Sequence, residues 1–220
     1  MSSRIPGIYE ERFSAPAFVI VDPVHLPGGG IMNGDVRDAT SATGDIYTLP
    51  TGTLLGIETA TGLWKQSVVG KSTVVYVANG GTVTTTPAVA TELIRRLGGQ
   101  TGSVVFTGPP AAAGTVAATV CAVTAINATL GTITLTCAVN KVVGSLISVN
   151  DGSQTPLTVL LDDTRIVDEN FEHVDCGISV PIGGTIYLEN LVNSPADTST
   201  LTWIMTQLNT NGQFIRADAY

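Results

Sequence analysis

Residues 49–66 read LPTGTLLGIETATGLWKQ, and this stretch indicates the fold more clearly than any group of reactive residues in the chain. Gly52 and Gly62 stand at turn positions, and a short apolar and threonine-rich run of the kind found in strands lies between them. Trp64 follows the second turn. No residue in the stretch has evident catalytic power. The pattern therefore predicts a glycine-punctuated β-hairpin with a structural role.

The composition favours a globular protein that covers part of its surface with a partner. Of the 220 residues, 44% are hydrophobic and only 13% are charged, which supplies a core but leaves few groups to solvate a bare surface. The formal net charge is −8, and Arg95 and Arg96 belong to no longer basic run. Because a phosphate backbone requires clustered Lys and Arg, we expect no nucleic-acid partner and regard a basic protein surface as more suitable.

The cysteines and the N-terminus exclude several classes of protein. Cys121, Cys137 and Cys176 are odd in number and contain no CxxC pair, so they predict neither a zinc site nor a disulfide framework but buried thiols in a reducing compartment. The N-terminal MSSRIPGIYEER lacks the pattern of a signal peptide, and the apolar runs are too short to span a membrane. We expect a soluble protein with no membrane partner.

Four regions of the chain differ in composition and in hydrophobic pattern. Residues 1–45 are interrupted by prolines and by a glycine triplet, and they predict an extended N-terminal arm in which only AFVIV, at 17–21, reads as a strand. That strand can add to the sheet edge of another chain, can form an edge strand within its own fold, or can belong to a partly disordered tail. Residues 46–78 and 143–220 read as one β-rich body, and 79–142 reads as an inserted α+β subdomain.

Several element boundaries have clear local signals. The stretch TPAVATELIRRLGGQ predicts a helix, because Thr86 can cap it, Pro87 suits its first turn and Gly98 can end it. The stretch NATLG predicts a hairpin turn. A second helix is predicted near the C-terminus, where either Asp197 or Ser199 can cap it, and QFIRADAY reads as a closing strand.

The residues with reactive side chains form no recognised catalytic or metal-binding pattern. His25 lies in the arm, and His173 lies in an acidic stretch, DDTRIVDENFEH, that lacks the alternating ligands and the glycine of a calcium loop. His173 and Cys176 point to opposite faces of a strand-like segment. The chain has no G-x-S-x-G, H-E-x-x-H or P-loop motif. We therefore expect no enzyme, no cofactor and no metal site, and we leave Trp64 open between core and interface.

The hairpin stretch resembles the head decoration (capsid-stabilising) proteins of lambda-type tailed bacteriophages. Members of that family carry a signature of the form G-T-V/L-L-G-x-I/V-T-A-T-G-K-Y. From Gly52 to Lys65 this chain reads GTLLGIETATGLWK. One departure is Leu63-Trp64, where the family often has Lys-Tyr.

Three further blocks follow the family in the same order. NDGSQTPLTVLLDD at 150–163 is similar to the segment D-G-S/T-Q-x-A-x-G-I-L-x-x-D, although Pro156 and Thr158 stand where Ala and Gly are usual. SAPAFVIVD resembles the arm segment of the family. A strand pair, a helix and GQFIRADAY resemble its C-terminal part. The stretch 79–142 lies outside this pattern, which is why it reads as an insertion.

The resemblance implies a small β-barrel or β-tulip-like body with a C-terminal helix and an N-terminal arm. Proteins of this family bind the outer surface of the expanded icosahedral head, commonly as trimers, and brace its capsomers against internal DNA pressure. For this chain the resemblance implies a virion protein on the capsid exterior, made in the host cytoplasm. Its partners would be the major capsid protein and itself, as a trimer or as a dimer.

The arm strand is the predicted capsid contact, and its residues are Ala17, Phe18, Val19, Ile20 and Val21. Trp64 is a weaker candidate for an interface. The alternative function is another virion component, such as a head fibre, tail or adhesin protein that binds a host-surface glycan. An adhesin of that kind should expose aromatic side chains in a cluster, and aromatic residues make up only 5% of this chain.

Overall fold

The computed structural model describes residues 20–40, 45–78, 81–109 and 115–217. The predicted mainly β fold is confirmed, with two curled half-barrel sheets and a C-terminal helix. The helices are α1 (Pro87–Leu97) and α2 (Thr198–Asn211), and a short 3₁₀ helix spans Leu188–Asn190. The strands are, in chain order, β1 (Ile20–His25), β2 (Gly30–Met32), β3 (Thr48–Leu49), β4 (Leu54–Ile57), β5 (Trp64–Gln66), β6 (Gly70–Lys71), β7 (Thr82–Thr84), β8 (Gly102–Gly108), β9 (Ala117–Asn127), β10 (Thr132–Thr136), β11 (Leu146–Val149), β12 (Thr158–Val159), β13 (Thr164–Arg165), β14 (Cys176–Ile178), β15 (Pro181–Tyr187) and β16 (Gln213–Ala217).

The largest sheet has six strands in the order β6-β11-β8-β9-β10-β7. Helix α1 packs against it and buries Val89, Ala90 and Leu93 in a common core. The helix begins and ends where the sequence predicts. The Thr86 hydroxyl accepts a hydrogen bond from the Val89 N–H at 3.2 Å, and Gly98 caps the C-terminus with a φ of 68°.

The β9–β10 hairpin that NATLG predicts contains a β-bulge, and the bulge corrects the expectation for the cysteines. Thr124 is the extra residue, because Val123 and Ala125 on either side of it pair with consecutive residues of β10. Beyond the bulge, Cys121 comes opposite Cys137, and the two form a disulfide with their Cα atoms 4.7 Å apart. The prediction of burial is confirmed for this pair, but the prediction of unpaired thiols is wrong, since spacing alone does not reveal the bulge.

The hairpin predicted at 49–66 is formed by β4 and β5, two interior strands of a sheet with the order β12-β4-β5-β2-β14. Gly62 closes its turn by donating its N–H to the Glu58 carbonyl at 2.9 Å, with a φ of 72°. Glu58 also pairs with Lys65 at 2.5 Å. Burial acts to raise the pKa of Glu58, but hydrogen bonds from Lys65 and a neighbouring threonine hydroxyl hold it below its ordinary value.

A three-stranded sheet, β1-β15-β16, packs against α2, and a two-stranded sheet joins β13 to β3. β1 runs antiparallel to β15, and β16 runs parallel to it. Asp197 caps α2, since its Oδ1 accepts the Thr200 N–H at 2.6 Å. Apolar residues from the three-stranded sheet and α2 share one core, among them Ile20, Ile186, Ile204, Leu208 and Phe214.

Two of the four regions that the sequence distinguishes contribute strands to sheets that also contain strands from other regions. Residues 79–142 supply α1 and four strands of the six-stranded sheet, which β6 and β11 from the two flanks complete. Residues 20–40, within the predicted arm, supply β1 and β2 and bury Met32 and Val36 fully. This half of the predicted arm packs into the body because its apolar residues contribute to all three cores. That 79–142 is an insertion stays a prediction.

The predicted strand STVVYVA forms only an isolated bridge, in which Tyr76 pairs with Lys141. The bridge has both backbone hydrogen bonds, at 2.9 and 3.0 Å, and both side chains are fully buried. The Lys141 Nζ donates to the carbonyls of Gly108 at 3.0 Å and Ala117 at 2.7 Å, which lie at the facing ends of β8 and β9. Lys141 therefore holds these two strand ends together, and burial lowers its pKa from 10.5 to about 8.

The burial of Lys141 predicts a specific dependence of stability on pH. Between about pH 8 and 10.5 the unfolded chain binds this proton more strongly than the native chain, so the contribution of Lys141 to the free energy of unfolding rises with pH. The neutral amine keeps two N–H donors for the two carbonyls. We expect the free energy of unfolding of the wild type, minus that of Lys141→Met, to increase across this window. The increase should be at most about 1.4 kcal/mol per pH unit. Urea titrations at several pH values measure it, and parallel profiles for the two proteins would contradict it.

Candidate functional site

Two of the sequence blocks that carry the phage resemblance contact each other in the fold. The loop that contains Asp151-Gly152-Ser153 lies against the end of β4, where the Thr59 N–H donates to the Asp151 carbonyl at 2.9 Å. Gly152 has a φ of 102°, and a Cβ at this position would lie 2.7 Å from the Thr59 nitrogen. Glycine is therefore required here by both the backbone conformation and the close approach. The Asp151 carboxylate accepts the Ser153 N–H at 3.0 Å, which fixes the loop.

Arg96, at the end of α1, joins this contact to the six-stranded sheet. Its guanidinium pairs with the Asp151 carboxylate and donates to the Ser153 hydroxyl and the Gln66 carbonyl, each at 2.9 Å. The Arg96 side chain is only 2% exposed. Burial acts to raise the pKa of Asp151, but the charge of Arg96 and the Ser153 hydrogen bonds outweigh it and lower the pKa. The sequence identified Arg96 only as one of two adjacent arginines.

Arg95 and Arg37 form a second cluster of charges beside the first. Arg95 pairs with Glu92 in its own helix at 2.7 Å and with Asp35 in the loop after β2. Arg37 is buried, donates to the Gly34 carbonyl at 3.2 Å and contacts His173. The basic residues that the sequence offers near α1 are thus engaged within the protein.

The predicted capsid-contact residues lie partly outside the described residues. Ala17, Phe18 and Val19 precede them. Ile20 pairs with Ile186 of β15 and is buried in the core of the three-stranded sheet. The Val21 backbone pairs with β15 as well. From Ile20 onward the segment is an edge strand within its own fold, because β1 lies at one edge of this sheet. This was one of the alternatives that the sequence left open.

Trp64, the predicted interface residue, is half-buried in β5. It packs against the core that contains Met32, Val36 and Leu55. A Cβ on Gly30 would lie 2.6 Å from Cδ1 of the indole, so one glycine of the triplet leaves room for this ring. The structure therefore places most of Trp64 in a core contact.

The acidic stretch around His173 is a folded loop. Asp168 closes a turn by accepting the N–H groups of Asn170 at 2.8 Å and Glu172 at 2.9 Å. Among the described residues, no group of three or more His, Cys, Asp or Glu side chains comes together in a way that could hold a metal ion. His25, at the end of β1, contacts the Ser179 hydroxyl at 2.7 Å. Cys176 lies in β14, and burial together with Asp175 raises its pKa.

An exposed aromatic contact on the same loop has no counterpart in the sequence predictions. The Phe171 side chain is 61% exposed, and its ring meets the Tyr47 ring edge-on with centroids 5.9 Å apart. The Arg165 guanidinium lies 5.6 Å from the Phe171 ring. Phe171 has a φ of 62°, which is unusual for an aromatic residue. The acidic stretch reads in sequence as a solvated loop between two strands, and that interpretation does not indicate that this ring is exposed.

Comparison of the chain with protein-family models, with curated proteins and with solved structures finds no significant match in any of the three. Within the described residues, neither helix has the length and hydrophobicity that a membrane span requires.

The contact between the two sequence blocks can be tested at Gly152. We expect Gly152→Ala to lower the free energy of unfolding by about 1–3 kcal/mol, because the new Cβ would be strained at this φ and would overlap the Thr59 backbone. Gly99→Ala is the matched control, since nothing lies within 4 Å of a Cβ there. Its effect should stay within about 0.5 kcal/mol of wild type in the same urea titration. Equal effects of the two substitutions would contradict the close approach of Gly152 to the Thr59 backbone.

Proposed function

We propose that this chain is a structural protein of a tailed-phage virion, which binds the outer surface of the expanded head and cements its capsomers. The observation that carries the proposal is the contact between Gly152 and Thr59, which joins two blocks that resemble the decoration family. Blocks that lie far apart in the sequence and meet in the fold are more informative than the same blocks taken separately. The mainly β body with a C-terminal helix is the architecture that the resemblance implies.

The mechanism of such a protein is linkage between binding and shell stability. A protein that binds the intact expanded shell, but not its disrupted state, stabilises the shell by mass action. Many copies on one particle add modest contact energies. No catalytic group is needed for this task, and the proposal treats the chain as a non-enzymatic protein without cofactor or metal.

The predicted arm is the proposed contact with the major capsid protein. Ala17, Phe18 and Val19 precede β1 directly, and β1 lies at a sheet edge. An extended segment that continues from an edge strand can add to a strand of another chain through main-chain hydrogen bonds. The proposal therefore assigns the capsid contact to the residues before Ile20, whose own side chain is buried in the core.

Deletion of residues 1–19 tests the role of the arm. The truncated chain should keep its unfolding midpoint, since β1 and Ile20 remain, but it should no longer co-sediment with expanded heads assembled from the major capsid protein of the same phage. A larger deletion through residue 30 is unsuitable, because it removes β1 and with it part of a core. Undiminished co-sedimentation of the truncated chain would contradict the role of the arm. Failure of the full chain to bind would contradict the proposed function.

A surface of exposed valines is the proposed site of self-association. It comprises residues from two adjacent segments around the Tyr76–Lys141 bridge, namely Val74, Val75, Val77, Val139 and Val143. Residues 72–78 and 137–145 contain no acidic residue, so copies of a chain with a net charge of −8 can meet here without direct repulsion. Exposed apolar patches of this kind commonly mark protein interfaces.

A charge placed on this valine surface should prevent self-association. We expect the wild type to form a trimer or a dimer and Val75→Glu to be a monomer, because the substitution buries an unpaired carboxylate at the contact. Light scattering coupled to size-exclusion chromatography measures the mass. Leu130→Glu is the control, since Leu130 is 65% exposed at the β9–β10 turn and lies outside this surface. A monomeric wild type, or loss of the oligomer with Leu130→Glu only, would contradict the assignment.

The alternative of a glycan-binding head fibre, tail or adhesin protein predicts several exposed aromatic side chains. In the described part of the chain Phe171 is the only exposed aromatic residue, and Tyr47 beside it is half-buried. A single exposed ring does not form the cluster of aromatic side chains that a glycan-binding surface of this kind should present. These observations favour the decoration protein as the proposed function.

A further inference from the structure

The aromatic surface around Phe171, which consists of Phe171, Tyr47 and Arg165, has properties that the fold does not require. Phe171 keeps 61% of its surface exposed and belongs to none of the three hydrophobic cores. Its φ of 62° is a conformation in which glycine or asparagine would be less strained. A large apolar ring at such a position stabilises the isolated protein little, and it is presented to the solvent at the tip of a loop.

Tyr47 and the turn that carries Phe171 are held in place by contacts with the rest of the fold. Tyr47 is half-buried, its carbonyl accepts the Ile166 N–H at 3.0 Å, and its ring lies 5.1 Å from the buried Arg37 guanidinium. The turn under Phe171 is closed by the Asp168 carboxylate and by the Phe171 N–H, which donates to the Asp168 carbonyl at 3.2 Å. The backbone that carries the ring is therefore preorganised, so a partner that covers it orders little additional main chain on this side.

The charges around the aromatic surface define the chemistry of that partner. Residues 162–175 contain six acidic residues and one arginine, so their formal charge is −6 + 1 = −5, out of −8 for the whole chain. Exposed members of this set lie on both sides of Phe171 in sequence, and they are Asp162, Asp163, Glu169, Glu172 and Asp175. A complementary surface places Lys or Arg side chains opposite these carboxylates. Nucleic acid is repelled by the same charges.

We propose that the aromatic surface is a docking site for a basic protein segment, which lays an apolar side chain on Phe171 and directs Lys or Arg side chains toward exposed carboxylates of residues 162–175. Interfaces of this kind concentrate their binding energy in a few aromatic and arginine residues, surrounded by charged residues that set specificity and association rate. The proposal rests on residues other than those of the valine surface, and it does not depend on the proposed function.

The test uses the full chain as bait for a displayed library of random peptides. Selected peptides should carry Lys or Arg beside an apolar residue, and the best of them, labelled with fluorescein, gives the Kd by anisotropy. Phe171→Asn should weaken this Kd by at least about tenfold. The paired substitution Glu169→Gln and Glu172→Gln should cause a smaller loss, and high salt should reduce the difference between this variant and wild type. Leu130→Asn, at an equally exposed apolar residue, should leave the Kd unchanged.

The variants separate loss of binding from loss of folding. Phe171→Asn should unfold no more easily than wild type, because asparagine adopts positive φ more readily than phenylalanine. Phe171→Gly, which suits the same φ, is the second variant and should show the same loss of binding. The proposal is overturned if no selected peptide depends on Phe171, if the selected peptides are acidic, or if Leu130→Asn weakens binding equally. It is also overturned if a glycan array shows sugar binding that Phe171→Asn abolishes, since the surface then serves a carbohydrate.

Discussion

The ion pair between Arg96 and Asp151 links α1, and through it the six-stranded sheet, to the central hairpin. Arg96 belongs to the helix that packs on the six-stranded sheet, Asp151 follows β11, and the Gln66 carbonyl that Arg96 also binds ends β5. One guanidinium therefore joins a helix, a loop and the central hairpin. Removing one partner of such a pair leaves the other charge buried, at a typical cost of about 3–5 kcal/mol. The pKa of Asp151 is lowered by the charge of Arg96 and by hydrogen bonds from Arg96 and Ser153.

The local elements of the fold could be predicted from the sequence because their signals are short-range. Thr86, Pro87 and Gly98 bound α1 as expected, Asp197 caps α2, and the turn glycine Gly62 closes the β4–β5 hairpin. Each of these residues acts on backbone groups within a few positions of itself, so the sequence around it contains all the necessary information. The acid at 58 and the lysine at 65 are likewise brought together by the hairpin register.

The remaining features depend on contacts between distant residues or on small irregularities of register. The disulfide requires the bulge at Thr124, because a hairpin without it would place Cys121 and Cys137 on opposite faces of the sheet. Lys141 is buried only because carbonyls of β8 and β9 converge on it, although a lysine in sequence usually indicates an exposed position. The sequence predicts that Ile20 contacts the capsid protein. In the fold Ile20 instead pairs with Ile186 of β15 in its own chain. The exposure of Phe171 depends on the closure of its turn by Asp168.

The distribution of charge in the folded protein is more uneven than the sequence indicates. Arg37, Lys65, Arg96 and Lys141 have buried side chains, and each is engaged by carbonyls or carboxylates of its own chain. The carboxylates of residues 162–175 are instead largely exposed. Because five exposed carboxylates lie within residues 162–175, negative charge is concentrated in this part of the chain. In the two proposed interactions, specificity follows from different surfaces: the one around Phe171 lies in an acidic stretch, whereas the segments of the valine surface contain no acidic residue.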